Sequence, residues 1–230
     1  MNSSTAKSRT CAVVPVYNEI DFIDEVIQKI IPHVSKIICV DDGSTDGTHE
    51  LLEAKTTIEL DADVILITNS KNYGKGFSLR AGLQKALEFD CDFVVTLDGD
   101  LQHAPELIPS FIDLLNNVDV AVGNRLHTLK GMPLQRIVSN KLTSWLLSKK
   151  VGVKIKDSQS GYRAFRKKIL KDVLPIELGF EAETEMLVKV ALNDYKIGFV
   201  DIPTIYNDNR SKMRPVQAIL GFLKVLFKKY

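Results

Sequence analysis

Two aspartates with one glycine between them, Asp98-Gly99-Asp100, end an apolar run. In extended backbone, residues i and i+2 point to the same side, so both carboxylates can face one ion while Gly99 leaves room. Paired carboxylate oxygens suit Mg2+ or Mn2+ shared with substrate phosphates. The bare tripeptide also reads as a strand-ending turn with a capping aspartate. The apolar strand before it and the helix opening at Pro105-Glu106 favour the metal site.

Four more polar clusters follow apolar runs: Pro15-Val16-Tyr17-Asn18-Glu19, Asp41 through Thr48, Asn72 through Gly76, and Gly123-Asn124-Arg125. Each alone is ordinary turn chemistry. Together they mark one edge of a sheet, because ligands in open α/β sheets bind beyond the carboxyl ends of the strands. Asp41-Asp42 also reads as an Asx turn capping the helix at Thr48. Gly74-Lys75-Gly76 lacks the spacing of a phosphate-binding loop and reads as well as a glycine-rich helix start.

The elements behind these clusters alternate. Strand-like runs at 10–15, 36–41, 64–68, 92–97 and 119–122 are nearly continuous in apolar residues, as strands buried on both faces are. Helical patterns fall between them at 22–31, 48–54, 75–89 and 105–116. Alternation of this kind predicts one α/β domain with a mostly parallel sheet. Near Gly123 the strand rhythm stops, and a basic amphipathic helix begins at Pro133. Residues 1–9 are polar and patternless, and we expect a disordered start there.

Composition narrows the class. With 230 residues, 45% of them hydrophobic and 26% charged, the chain is neither disordered nor fibrous. Its apolar stretches fall short of the ~18 residues that span a bilayer, and no secretory signal precedes the first strand. Cys11, Cys39 and Cys91 sit singly within apolar runs, which predicts buried thiols in a cytoplasmic protein. The net charge of +1 hides an asymmetry: residues 1–119 carry 9 basic and 20 acidic side chains, residues 120–230 carry 21 and 9. A basic second half points to an anionic partner or to a solvated face.

The segments V-V-P-V-Y-N-E at 13–19, V-D-D-G-S-T-D-G-T at 40–48, G-K-G at 74–76 and L-D-G-D-L-Q-H-x-P-E at 97–106 resemble the nucleotide-sugar domain of family 2 glycosyltransferases. The L-Q-H-x-P-E extension, G-N-R at 123–125, D-S-Q-S-G-Y-R-A-F at 157–165 and G-F-E-A-E-T-E-M at 179–186 are similar to the dolichyl- or polyprenyl-phosphate hexose synthases. The resemblance runs in order from about Thr10 to Lys224. It implies a Rossmann-like GT-A domain over 10–212, with an amphipathic interface helix at 133–150 inside it and a second amphipathic helix at 213–230. The implied reaction is inverting transfer of a hexose to dolichyl or polyprenyl phosphate, with release of a nucleoside diphosphate. GDP-mannose is the first expected donor, and UDP-glucose or another UDP-sugar the second.

Roles follow by the same similarity. Asp98 and Asp100 bind Mg2+ or Mn2+ with Gln102 beside them. Pro15, Tyr17, Asn18, Glu19, Val40, Asp41 and Asp42 hold the donor, with Lys75, Gly99, Gln102 and Lys212. Arg125, Arg136, Ser139, Arg210 and Ser211 meet the acceptor phosphate, and Arg125 and Arg210 join the two aspartates as catalytic residues. The acidic cluster Glu181–Glu185 departs from dolichol enzymes, which carry fewer acids there, and so weakens mannose more than the family.

The residues' own chemistry agrees. A leaving diphosphate needs a metal and cations rather than a strong acid. A phosphate monoester, with a second pKa near ~6, is already ionised at neutral pH and needs no general base. His33, His49, His103 and His127 show no triad-like arrangement, and His103 reads as support for the metal motif. The one candidate base region is the acidic helix, where Glu181 and Glu185 share a face; its other reading is charge balance against the basic half. The helix from Leu134 carries an apolar stripe of Leu134, Ile137, Val138, Leu142, Trp145 and Leu146. The tail repeats the scheme with Val216, Ile219, Leu220, Leu223, Leu226 and Phe227. Such helices lie in a membrane interface or pack on the core. The expected place is therefore peripheral, on the cytoplasmic face, bound to the membrane surface directly or through a membrane-protein partner. Two rivals stand beside this reading: a nucleotidyltransferase, which would release pyrophosphate, and a nucleotide-sugar-binding regulatory subunit. Nucleic acid is disfavoured, since the basic stretches lack interleaved aromatics.

Overall fold

The computed structural model describes residues 9–129, 131–205 and 215–230. Strands form at Thr10–Val16 (β1), Lys36–Asp41 (β2), Asp63–Thr68 (β3), Phe93–Thr96 (β4), Val120–Asn124 (β5), Arg163–Arg166 (β6) and Ile197–Asp201 (β7). They make one sheet in the order β3-β2-β1-β4-β6-β5-β7. All pairs are parallel except those of β6, which runs against both β4 and β5. Helices form at Ile23–Ile30 (α1), Thr48–Thr57 (α2), Lys75–Ala86 (α3), Ile108–Leu114 (α4), Leu134–Val151 (α5), Leu170–Val173 (α6), Glu181–Leu192 (α7) and Pro215–Phe227 (α8).

The five expected strands are present, but the strand rhythm does not stop at Gly123. β6 and β7 were hidden by their composition. In β6, Ala164 and Phe165 enter opposite faces of the core, while Arg163 at its start is buried against the carbonyl oxygens of Ser158, Ser160 and Glu183. A strand bounded by arginines reads as a loop. β7 carries Gly198 where a Cβ would stand 2.9 Å from Leu114 Cδ2, so a residue that weakens strand propensity is required by packing.

Layering follows from strand alternation. Ala12, Val14 and Val16 of β1 face the cluster that holds α1 and α4; Cys11 and Val13 face the cluster that holds α3 and α7. In α1, Ile23, Val26, Ile27 and Ile30 are buried at the i, i+3, i+4, i+7 spacing of an amphipathic helix. All three cysteines are buried and free. They are not all solitary: the neighbouring Cys91 and burial push the Cys11 thiol up, and Cys91 Sγ donates to Ala86 O at 3.7 Å.

α8 packs on α7 through buried Phe222 and Val225. Lys224 and Lys228 meet buried Glu177 at 2.5 and 2.9 Å, and Lys228 also reaches Glu185 at 3.4 Å. Part of the tail is therefore core. Phe222→Ala is expected to cost about 3 kcal/mol, the lower end for a large-to-small core change. A urea midpoint equal to that of the parent chain would show that α8 adds nothing to the fold. The outer faces are different: Leu134, Val138, Leu142 and Trp145 of α5, with Ile219, Leu220 and Phe227 of α8, are each more than half exposed. The two helices are tied together by Lys150 Nζ, which donates to Leu226 O (2.7 Å) and Lys228 O (2.9 Å). Among the described residues no helix is long and apolar enough to cross a membrane.

Candidate active site

A cavity of about 380 Å³ opens where the loops after β1, β2, β4 and β5 converge. It gathers Pro15, Tyr17 and Glu19 after β1, Asp42 after β2, and Lys75 at the start of α3. Asp98, Gly99, Asp100 and Gln102 follow β4, and Arg125 and Arg136 also line it. Four expected residues do not line it. Val40 is fully buried in the core. Asp41, equally buried, accepts the Ser44 N–H at 3.0 Å and faces His49 Nδ1 at 3.2 Å. Asn18, at φ +51°, pins two loops together: its N–H donates to Ser44 Oγ (2.9 Å) and its Oδ1 accepts from Thr45 (2.8 Å). Ser139 is exposed on α5 and donates to Arg136 O at 3.2 Å. Arg210, Ser211 and Lys212 lie outside the described residues.

Asp42 organises the next loop by accepting the N–H groups of Tyr73 (3.0 Å) and Gly74 (2.8 Å). The glycines then serve a helix start, one of the two readings of G-K-G. A Cβ on Gly74, at φ +103°, would stand 2.7 Å from Leu178 O, and one on Gly76 would stand 2.5 Å from Glu177 O. Their absence lets α3 begin against the segment that leads into α7. That approach brings Lys75 Nζ between Asp98 Oδ1 (2.7 Å) and Glu183 Oε1 (2.8 Å). Burial alone would lower the Lys75 pKa, but the two carboxylates outweigh it and keep the ammonium charged.

The aspartates are pushed apart. Burial would raise Asp98, yet the Lys75 ammonium outweighs that and holds it below the usual carboxylate range. Asp100 is raised, first by burial and then by the charge on Asp98. Between it and Gln102, Leu101 adopts φ +59°, a conformation unusual for a bulky residue, and the Gln102 N–H closes on Asp100 Oδ1 at 3.0 Å. His103 supports this turn. Burial pulls its pKa down to about 4, so the ring is neutral. Its Nδ1 accepts the Asp98 N–H at 3.0 Å, which puts the ring proton on Nε2. The ring stacks on Tyr162, which stacks on Phe111.

Arg125 is held by Asp157, which is fully buried: Nε and Nη2 form a fork at 2.8 and 3.0 Å, and the Arg125 N–H adds a third bond at 3.2 Å. Gly161 and Glu183 line the cavity and Asp157 stands behind Arg125; the 157–165 and 179–186 segments contain all three, yet the resemblance gave none of them a role. A Cβ on Gly161 would lie 2.6 Å from Glu183 Oε1 and 3.1 Å from Lys75 Nζ, so that position must stay bare. The acidic helix thus presents Glu183, and not the Glu181/Glu185 pair, to the cavity. Glu185 instead accepts the N–H groups of Ile176 and Glu177, and Glu181 lies against Gly221 of α8.

Residues 11–174 match the family model for glycosyl transferase family 2. The chain belongs to that family. It is 35% identical to the UDP-N-acetylglucosamine–dolichyl-phosphate N-acetylglucosaminyltransferase of Methanococcus voltae, over 94% of this chain and 92% of that one. It is 31% identical to the polyprenol monophosphomannose synthase of Mycolicibacterium smegmatis, over 72% of this chain and 64% of the relative. This glycosyltransferase therefore sits among polyprenyl-phosphate sugar transferases. Among solved structures, glucosyl-3-phosphoglycerate synthase from Mycobacterium tuberculosis, in complex with Mn2+, UDP and phosphoglyceric acid, superposes with a TM-score of 0.73 at 22% identity. The match covers 99% of this chain and 81% of that one, and it establishes the GT-A fold.

Part of the cavity could hold a divalent cation. Among the described residues no three His, Cys, Asp or Glu side chains converge as a cage. Asp98, Asp100 and Gln102 do line one cavity, which supplies two carboxylates and an amide oxygen. That donor set fits an ion whose remaining ligands are diphosphate oxygens and water, the usual arrangement for Mg2+ at a nucleotide.

Proposed function

We propose that this glycosyltransferase moves a sugar from a nucleoside-diphosphate sugar to the phosphate of a polyprenyl or dolichyl phosphate, with inversion. The observation that carries the reading is one cavity lined by both the Asp98/Asp100 pair and two arginines, Arg125 and Arg136. An oxygen of the acceptor phosphate attacks the anomeric carbon from the face opposite the diphosphate. The new C–O bond forms as the bond to the diphosphate breaks, and the charge leaves on the nucleoside diphosphate. Pro15, Tyr17, Glu19 and Asp42 hold the nucleoside side of the donor. Asp98, Asp100 and Gln102 would hold Mg2+ or Mn2+, which when bound would supply positive charge to the leaving group. Arg125, fixed by Asp157, and Arg136 hold the acceptor phosphate, already ionised and in need of no base. Arg210, Ser211 and Lys212 are assigned to the same phosphates.

For the donor, the sequence favours GDP-mannose, while the relative from Methanococcus voltae, similar over nearly its whole length, supports UDP-N-acetylglucosamine. The exposed apolar faces of α5 and α8 support peripheral binding at the membrane surface where such an acceptor resides, and we assign the cytoplasmic face. A panel of GDP- and UDP-sugars with a short-chain polyprenyl phosphate tests the reading. One sugar should appear on the lipid phosphate with stoichiometric nucleoside diphosphate. Release of pyrophosphate, or donor binding without turnover in Mg2+ and Mn2+, would overturn it.

A further inference from the structure

A second depression, of about 660 Å³, lies beside the C-terminal half of α5. Its rim carries Lys141 and Lys149 from the helix and Lys154 and Lys156 from the loop that follows, all exposed. None of the four has a carboxylate partner among the described residues. The backbone is built to bring them together. Gly152, at φ +72°, reverses the chain as its N–H closes on Ser148 O at 3.0 Å. Ser148 Oγ then accepts the Ile155 N–H (2.8 Å) and Ser144 Oγ the Ser158 N–H (2.9 Å), which straps the returning loop along the helix. The hydroxyls of the floor are spent on this fold, and the groove presents ammonium groups with Trp145 and Val153.

We propose that this groove binds the phosphate headgroup of an anionic phospholipid in the bilayer, apart from the reacting lipid phosphate. Two observations select that occupant. The first is charge: residues 120–156 contain no acid, and the groove has no carboxylate with which to hold a cation or a nucleotide-bound metal. The second is continuity, because Trp145 lines the groove and also ends the exposed stripe Leu134-Val138-Leu142-Trp145. With that stripe at the acyl boundary and Trp145 at headgroup level, the lysines stand level with the phosphates. The inference rests on the membrane-surface part of the proposed function, and its test is separable from the transfer reaction.

The test is partition of the full chain onto phosphatidylcholine vesicles with and without phosphatidylglycerol, for the parent and for a Lys149→Gln, Lys154→Gln, Lys156→Gln variant. The three charges should together be worth about 10²-fold in partition at low salt, with the preference lost at high salt. The variant should therefore lose most of the preference for phosphatidylglycerol vesicles, with Lys141 left to carry the remainder. Transfer to a water-soluble short-chain prenyl phosphate, without vesicles, should be unchanged. Equal partition of parent and variant would overturn the assignment. So would loss of the soluble transfer, which would make the groove part of the acceptor site. A parent that transfers to the soluble acceptor yet ignores anionic vesicles also overturns it, and leaves the proposed reaction standing. Should the triple variant melt early, Lys154→Glu alone gives the same reading, with an expected loss of at least tenfold.

Discussion

Asp100→Ala is expected to lower turnover about 10³-fold at saturating Mn2+ while leaving the fold intact. Of the two aspartates, Asp98 is already engaged by Lys75, whereas Asp100 is the one destabilised by burial and by its neighbour's charge. Removing it relieves a like-charge repulsion, so the thermal midpoint should hold or rise. A loss of rate with no loss of stability is the signature of a group kept for chemistry. Initial rates across a Mn2+ titration, paired with thermal melts, measure both. Undiminished rates in the variant would remove Asp100 from the ion's donor set.

Arg125→Ala should be costly twice over. The fully buried Asp157 loses its fork partner, and stranding one member of a buried pair typically costs about 3–5 kcal/mol. Transfer should also fall about 10²-fold, the size of one lost charge-stabilising contact. The two effects can be separated. Arg125→Met combined with Asp157→Leu removes the stranded charge and should recover part of the urea midpoint, short of the parent because the N–H groups of residues 125 and 159 lose the carboxylate that accepted them. It should recover none of the rate. A double variant with parental kcat would reduce Arg125 to a structural residue.

Much of this architecture is written locally in the chain. The β-branched runs of β1 to β5 and the turn residues behind them locate the sheet edge, and Asp98-Gly99-Asp100 stands out as a carboxylate pair, though β4 ends at Thr96 and the pair enters a bend rather than the extended backbone expected of it. What was not legible depends on partners far away in sequence. Arg163 looks like a loop residue until three carbonyl oxygens are seen to satisfy it inside the core. The i, i+4 rule groups Glu181 with Glu185, and helix periodicity alone cannot say that Glu183 is the one turned to Lys75. That follows from the bare glycines of α3, which draw the two helices together. Asp157 sits 32 positions from Arg125, beyond any periodic signal. The exposed stripe of α5 was legible; the buried side of α8 was not, because that helix is apolar on both faces and only packing decides which one is covered.

The reversed strand β6 also sets a timetable for the growing chain. Strand pairs β1–β2 and β2–β3 join residues about 25 positions apart, as in Cys11 with Lys36 and Lys36 with Asp63, so that half of the sheet can assemble early on the ribosome. The other half of the cavity closes over far longer loops, 65 positions from Thr96 to Gly161 and 108 from Lys75 to Glu183. Long-range pairings of this kind are slow, because closure entropy is lost before any contact compensates for it. Until Arg163–Arg166 emerges, β4 remains an open edge of four apolar-lined residues, a template for wrong pairing with other nascent chains. Lys75 and the carboxylate pair are thus translated well before Glu183, the second carboxylate that Lys75 pairs with, and the β4 edge is uncovered through that interval.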